Sequence, residues 1–156
     1  MKKHFSTRAV RSIGWILFIF YLAGLTYFMF FSESLGRTDL SVGYRYNLEP
    51  FREIYRCIRY WDVLGPLNAS MNLIGNIVAF MPFGFILPML CLSNRRWYIV
   101  FLLGLLCSLC IESLQLVTRR GSFDVDDLML NTLGSLAGYW CFLIAARFRR
   151  QLHKKR

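Results

Sequence analysis

MNLIGNIVAFMPFGFILPMLCLSNRRWYIVFLLGLLCSLCIESLQLVT, residues 71–118, decides the fold. It holds two apolar runs, Met71 to Leu92 and Tyr98 to Thr118, joined by Ser93 to Trp97. A bilayer core about 30 Å thick is crossed by roughly 20 helical residues. Both runs reach that length. The first has no charge, and the second is broken only by Glu112 and Gln115. A five-residue link carrying Arg95 and Arg96 turns the chain straight back, so the stretch reads as two successive membrane crossings.

Outward from this pair, Ile13 to Phe31 precedes it and Leu128 to Ala146 follows it with the same character. The chain therefore reads as one all-α domain over 1–156, an integral membrane four-helix bundle. Its spans are about 13–31, 71–92, 98–118 and 128–146, with an outer loop over 32–70. Lys2, Lys3, Arg8 and Arg11 before the first run resemble a signal peptide. The run is long for one and no small-residue cleavage site follows it, so it reads as an uncleaved span.

The formal charge of +10 sits beside a 56% hydrophobic composition. A nucleic-acid binder of this charge would line a groove with it. Here the basic residues gather at the ends of apolar runs, which excludes nucleic acid as the expected partner. The N-terminal segment, the link at Arg95 and Arg96, and the tail with Arg147, Arg149, Arg150, Lys154, Lys155 and Arg156 hold no acid. The positive-inside rule then places both termini in the cytoplasm, beside anionic lipid head groups. Five cysteines include a Cys107-x-x-Cys110 pair, but it lies inside an apolar helix and no second pair completes a zinc site.

In the outer loop, Phe51, Ile54, Ile58 and Trp61 recur at helical spacing, with Arg52, Arg56 and Arg59 on another face. Pro50 suits a first turn and Gly65-Pro66 a stop. This predicts a short helix lying in the outer interface, the alternative being an ordinary packed loop helix.

Ionisable side chains inside a membrane are costly, so their placement is informative. Asn68, Asn72 and Asn76 form a stripe on the second span. Glu112 and Gln115 share a face of the third with Ser108 and Gly104. Asp124, Asp127, Asn131, Gly134 and Gly138 form a stripe on the fourth, and Arg119, Arg120 and Asp126 sit in the tight connection before it. All the polar stripes end in the outer leaflet. The expected result is one outward-open pocket whose candidate ligand-binding residues are Asn72, Asn76, Glu112, Gln115, Arg119, Arg120, Asp124, Asp126, Asp127 and Asn131. Glu112, the deepest charge, is expected to pair with Arg119 or Arg120 or to bond Asn72 or Asn76. The competing structural account makes Asp124 the N-cap of the fourth helix, with Asp127 like the acid of a capping box, and gives the asparagines interhelical bonds. It explains Glu112 poorly, since a cap needs no acid a turn and a half deep. Gly134-x-x-x-Gly138 predicts close helix packing, within the chain or in a homo-oligomer.

Three blocks resemble the VanZ-like family of small bacterial membrane proteins. They are Asn47-Leu48-Glu49-Pro50-Phe51-Arg52-Glu53-Ile54; Asn72-x-x-x-Asn76-x-x-x-Phe80-x-Pro82-x-Gly84; and Glu112-x-x-Gln115 followed by Arg120-Gly121-x-Phe123-Asp124-x-Asp126-Asp127-x-x-x-Asn131-x-x-Gly134-x-x-x-Gly138. The resemblance implies a cell-envelope role linked to teicoplanin resistance, at least for the founding member.

Three functions compete. In the first, the pocket binds an amphiphile without cofactor or metal: a lipid-linked envelope precursor, or the acyl tail of a lipoglycopeptide such as teicoplanin, which vancomycin lacks. In the second, Glu112, Asp124 and Asp127, with Asp126, serve an enzyme that uses Mg²⁺ on a lipid phosphate head group. His4 and His153 lie at the other membrane face and offer such an enzyme nothing. The third is a proton-coupled transporter with Glu112 as its buried acid.

Overall fold

The computed structural model describes residues 7–34, 44–90, 96–119 and 121–154. Lys2, Lys3, Arg95, Arg120, Lys155 and Arg156 lie outside the described residues. Four long helices dominate: α1 Thr7–Ser34, α4 Pro66–Leu90, α5 Trp97–Thr118 and α6 Val125–Lys154. Each contains an apolar stretch of 20 to 28 residues, long enough to cross a bilayer. Between α1 and α4 lie β1 Tyr46–Asn47, α2 Arg52–Arg59 and α3 Trp61–Leu64, and β2 Phe123–Asp124 leads into α6.

The fold is the expected all-α membrane bundle, and its helices overrun the predicted spans. Gly65, at φ 84, ends α3. The next residue, Pro66, then opens α4, where its missing N–H is of no consequence. The Gly-Pro pair is thus both a stop and a start, and α4 begins five residues before the predicted Met71. The loop helix over 51–61 is present, divided into α2 and α3 at Tyr60. The two-residue strands are an addition. β1 and β2 pair in parallel, Tyr46 with Phe123 and Asn47 with Asp124, and join the loop to the start of α6.

Glycine sets the closest approach in the bundle. A Cβ at Gly134 would overlap the Ile77 carbonyl, and one at Gly138 the Met81 carbonyl. One at Gly84 would overlap the Ser135 carbonyl in return. Both partners advance four residues from the first contact to the second, so α4 and α6 run parallel with their backbones touching. The Gly134–Gly138 face is therefore filled by α4 of the same chain. Gly104 of α5 abuts the Ser135 side chain. α1 lies on the outside of α4, where the Phe18 and Phe83 rings are 5.6 Å apart and the Tyr21 hydroxyl donates to the Ala79 carbonyl at 2.6 Å.

Gly14 faces Leu90 and Met29 faces Gln115, so α1 runs against α4 and alongside α5. One end of the bundle, the loop end, thus carries β1, β2, α2, α3 and the start of α6. The other, the basic end, carries Arg11, Arg96, Arg147, Arg149 and Arg150. Large apolar side chains such as Phe20, Val117 and Trp140 are turned outward along the helices, as a lipid-facing surface requires.

Candidate functional site

The predicted stripes do converge at the loop end, where most of their polar side chains are buried against one another. Glu112, Gln115, Asp126 and Asn131 are almost wholly buried, as are Ser108 and Ser135. Asp124 is 5% and Asn76 9% exposed. The polar seam on α6 runs from Asp127 through Asn131 to Ser135 at four-residue intervals. On α5 it runs through Gln115, Glu112 and Ser108. Ser135 lay outside the sequence-derived site, although its spacing from Asp127 and Asn131 was the available signal.

Asp126 has the largest structural role. Its carboxylate accepts backbone N–H bonds from Phe51 at 2.5 Å, Glu53 at 2.7 Å and Ile54 at 3.2 Å. These are first-turn amides of α2, which have no partner inside their own helix. The negative charge also sits at the positive end of the helix dipole. The N-cap Phe51 has no side-chain cap bond and adopts φ 67, so the cap is supplied from 75 residues away. Asp124 makes the second tie. Its Oδ1 accepts from Asn47 Nδ2 at 3.2 Å and from the Asp126 N–H at 2.8 Å. The second bond is the expected N-cap of α6. On the α4 side, the Asn72 amide donates to Cys57 Sγ at 3.5 Å, fastening α2 to α4. Burial pushes the Cys57 thiol up, which keeps it neutral. Residues 44–64 therefore form a strap tied to both α4 and α6.

The remaining candidates divide. Asn76 donates to Asp127 Oδ1 at 2.6 Å and ties α4 to α6. Glu112 Oε2 accepts the Asp124 N–H at 3.1 Å, so the deep acid braces the turn that carries the cap. Asn72 and Asn76, the amides expected to bond Glu112, donate to Cys57 and Asp127. Arg119, expected beside Glu112, lies at the surface over the Tyr44 ring, 4.7 Å from its centroid. It closes α5 in the left-handed region, at φ 56. The expected partner Arg120 lies outside the described residues. Gln115 reaches α1, a helix outside the expected site: it donates to the Met29 carbonyl at 3.2 Å. Asn131 donates to Ser108 Oγ at 2.9 Å. The carbonyl oxygens of these two amides, Gln115 Oε1 and Asn131 Oδ1, are buried and accept no hydrogen bond from the described residues.

Among the described residues, no three His, Cys, Asp or Glu side chains stand together as a metal site. The oxygens that Mg²⁺ would take from Asp126 accept backbone N–H groups.

Burial dominates the environment of Asp124 and pushes its carboxyl above the ordinary 3.8. The bonds from the Asp126 N–H and Asn47 act in the opposite direction and are outweighed. A raised folded-state value means that ionised Asp124 opposes folding. That penalty is complete above the folded value and disappears as the pH falls toward the unfolded value. Asp124→Asn keeps an oxygen for the cap and cannot ionise. Its stability relative to the parent protein should rise with pH from about 4 and then level off. Unfolding measured from pH 3 to 8 checks this, and a flat difference would show that Asp124 is not desolvated.

A protein-family model described as VanZ/LLP1 matches residues 18–146. No curated protein and no solved structure matches the chain.

Proposed function

Because this chain belongs to the VanZ/LLP1 family, we propose that it is a cell-membrane protein that holds the polar head of an amphiphile at its loop end. The basic end then faces the cytoplasm by the positive-inside rule, with both termini there. α2 lies in the outer interface. The favoured ligands are a lipid-linked envelope precursor or a lipid-tailed glycopeptide of the teicoplanin type. The single observation that carries this reading is the pair of buried acceptors, Gln115 Oε1 and Asn131 Oδ1, that accept no hydrogen bond from the described residues. A buried polar atom left in this state costs about 1–3 kcal/mol. Scaffolding accounts for Asp124, Asp126 and Asn76, whose bonds build the fold. It does not account for two acceptors that build nothing. Such acceptors call for donors, and sugar hydroxyls and amides supply them in both ligand classes.

The test is expression in a susceptible Gram-positive host, with inhibitory concentrations measured for teicoplanin and vancomycin. Gln115→Leu and Asn131→Leu are run beside the parent at matched membrane levels and matched thermal stability. Teicoplanin protection should appear without vancomycin protection. Each variant should weaken head-group binding roughly 5- to 150-fold, the equivalent of one buried hydrogen bond. Protection by both variants equal to that of the parent would reduce the polar seam to scaffold. If the parent protects against neither drug, the glycopeptide is excluded. Binding of lipid-linked precursor to the parent and to both variants then decides whether the site exists.

A further inference from the structure

The far end of α6 carries a feature that the loop-end reading does not use. Trp140, Leu143, Ile144, Arg147 and Arg150 fall within about 120° of arc at 3.6 residues per turn. All five are exposed, Trp140 at 64%. Together with Phe142 and Ala146 at its inner wall they line a groove of about 720 Å³. The groove is graded along its length. Its lower part is indole and branched aliphatic. Its upper part holds two guanidinium groups, three residues apart, where the apolar run of α6 gives way to its basic tail. Trp140 and Arg147 are separated by about 10 Å along the axis, two helical turns.

We propose that this groove is a binding site for one anionic glycerophospholipid of the leaflet at the basic end. Its upper acyl chain lies on Trp140, Leu143 and Ile144, and its phosphate sits between Arg147 and Arg150. Charge complementarity selects the head group, because guanidinium presents paired donors that match phosphate oxygens. The chemistry also separates this site from a diffuse basic surface. Arg149 has the same charge and is also exposed, but it projects from the opposite side of α6, away from Trp140. Only the two arginines that sit above an apolar trough can hold a head group and its chain together.

The experiment uses the full chain in vesicles of phosphatidylcholine containing a fixed fraction of phosphatidylglycerol. Bromine atoms on the acyl chains of one lipid or the other quench nearby tryptophan. The Trp140 signal is the difference between the parent protein and Trp140→Phe. Brominated phosphatidylglycerol should quench that signal more strongly than brominated phosphatidylcholine at equal mole fraction. Arg147→Gln and Arg150→Gln should each bring the two lipids to equal quenching, whereas Arg149→Gln should keep the preference. Equal quenching in the parent would overturn the proposal, leaving ordinary boundary lipid. So would loss of the preference in Arg149→Gln, which would mark a delocalised charge effect. Thermal stability of the three glutamine variants should match the parent, since each replaced side chain is exposed. If one variant were destabilised, the remaining member of the Arg147 and Arg150 pair would decide.

Discussion

Asp126→Ala will release the strap from the loop end while leaving the membrane helices in place. The substitution removes the acceptor of three backbone N–H groups at once, those of Phe51, Glu53 and Ile54. A fully buried donor left without a partner costs about 1–3 kcal/mol, and these three, being half-buried, each cost less. Phe51 would also keep its left-handed backbone with nothing to hold it there, a strain of about 1–2 kcal/mol for a residue with a side chain. The sum will not be realised in full. The strap can lift into water and solvate its amides, so the loss is limited to the free energy of docking. The expected result is a fall in hydrogen-exchange protection over α2 of about 10²- to 10³-fold, with α4, α5 and α6 protected as before. Asp126→Asn keeps one acceptor oxygen but no charge and should fall between the parent and alanine. Unchanged exchange over α2 in Asp126→Ala would show that the cap does not hold the strap. The result bears on the proposed function, because the strap covers the end of the bundle where Gln115 and Asn131 keep their buried acceptors.

What the sequence discloses and what it conceals follow the range of the forces involved. The spans are legible because crossing hydrocarbon demands some twenty apolar residues in a row, a condition satisfied locally. The convergence of Asn76, Glu112, Asp127 and Asn131 is legible too. Helical periodicity and the alternating direction of the spans bring them to one end without any knowledge of distance. The division of labour among them is not. Asp124, Asp126 and Asp127 are the same kind of residue in one short run. One caps α6, the next caps α2, and the third meets Asn76 of α4. Only the pairing of residue 46 with residue 123 decides which is which, and a two-residue strand leaves no periodic trace. The Asn47 block and the Asp124-x-Asp126 block resemble family motifs separately. The structure gives one reason for both, since each carboxylate meets the backbone or side chain of the other block. Arg119 shows the limit from the other side. It has the right charge to pair with Glu112, but the left-handed turn at its own position directs it onto Tyr44.

The second large effect is expected at Gly84, where a single methyl group is enough. In Gly84→Ala the new carbon would overlap the carbonyl of Ser135, a backbone atom in the middle of α6. A flexible side chain could rotate away from it, whereas a helical carbonyl cannot. The two helices must separate, and separation pulls on the Asn76–Asp127 bond that joins them. The penalty should therefore reach or exceed the 1–3 kcal/mol usual for an overfilled core. Gly138→Ala, against Met81, should behave alike. Gly24 and Gly75 supply the internal control. A Cβ at either meets nothing within 4 Å, so Gly75→Ala should be neutral or gain up to about 1 kcal/mol from helix propensity. Thermal unfolding in detergent compares the four variants directly. Similar midpoints for Gly84→Ala and Gly75→Ala would refute the close parallel contact of α4 with α6. The dependence on protein concentration adds a second discrimination. If the Gly134–Gly138 face joined two chains, the Gly138→Ala defect would lessen as the protein is concentrated. With that face filled by α4 of its own chain, the defect should stay the same at every concentration.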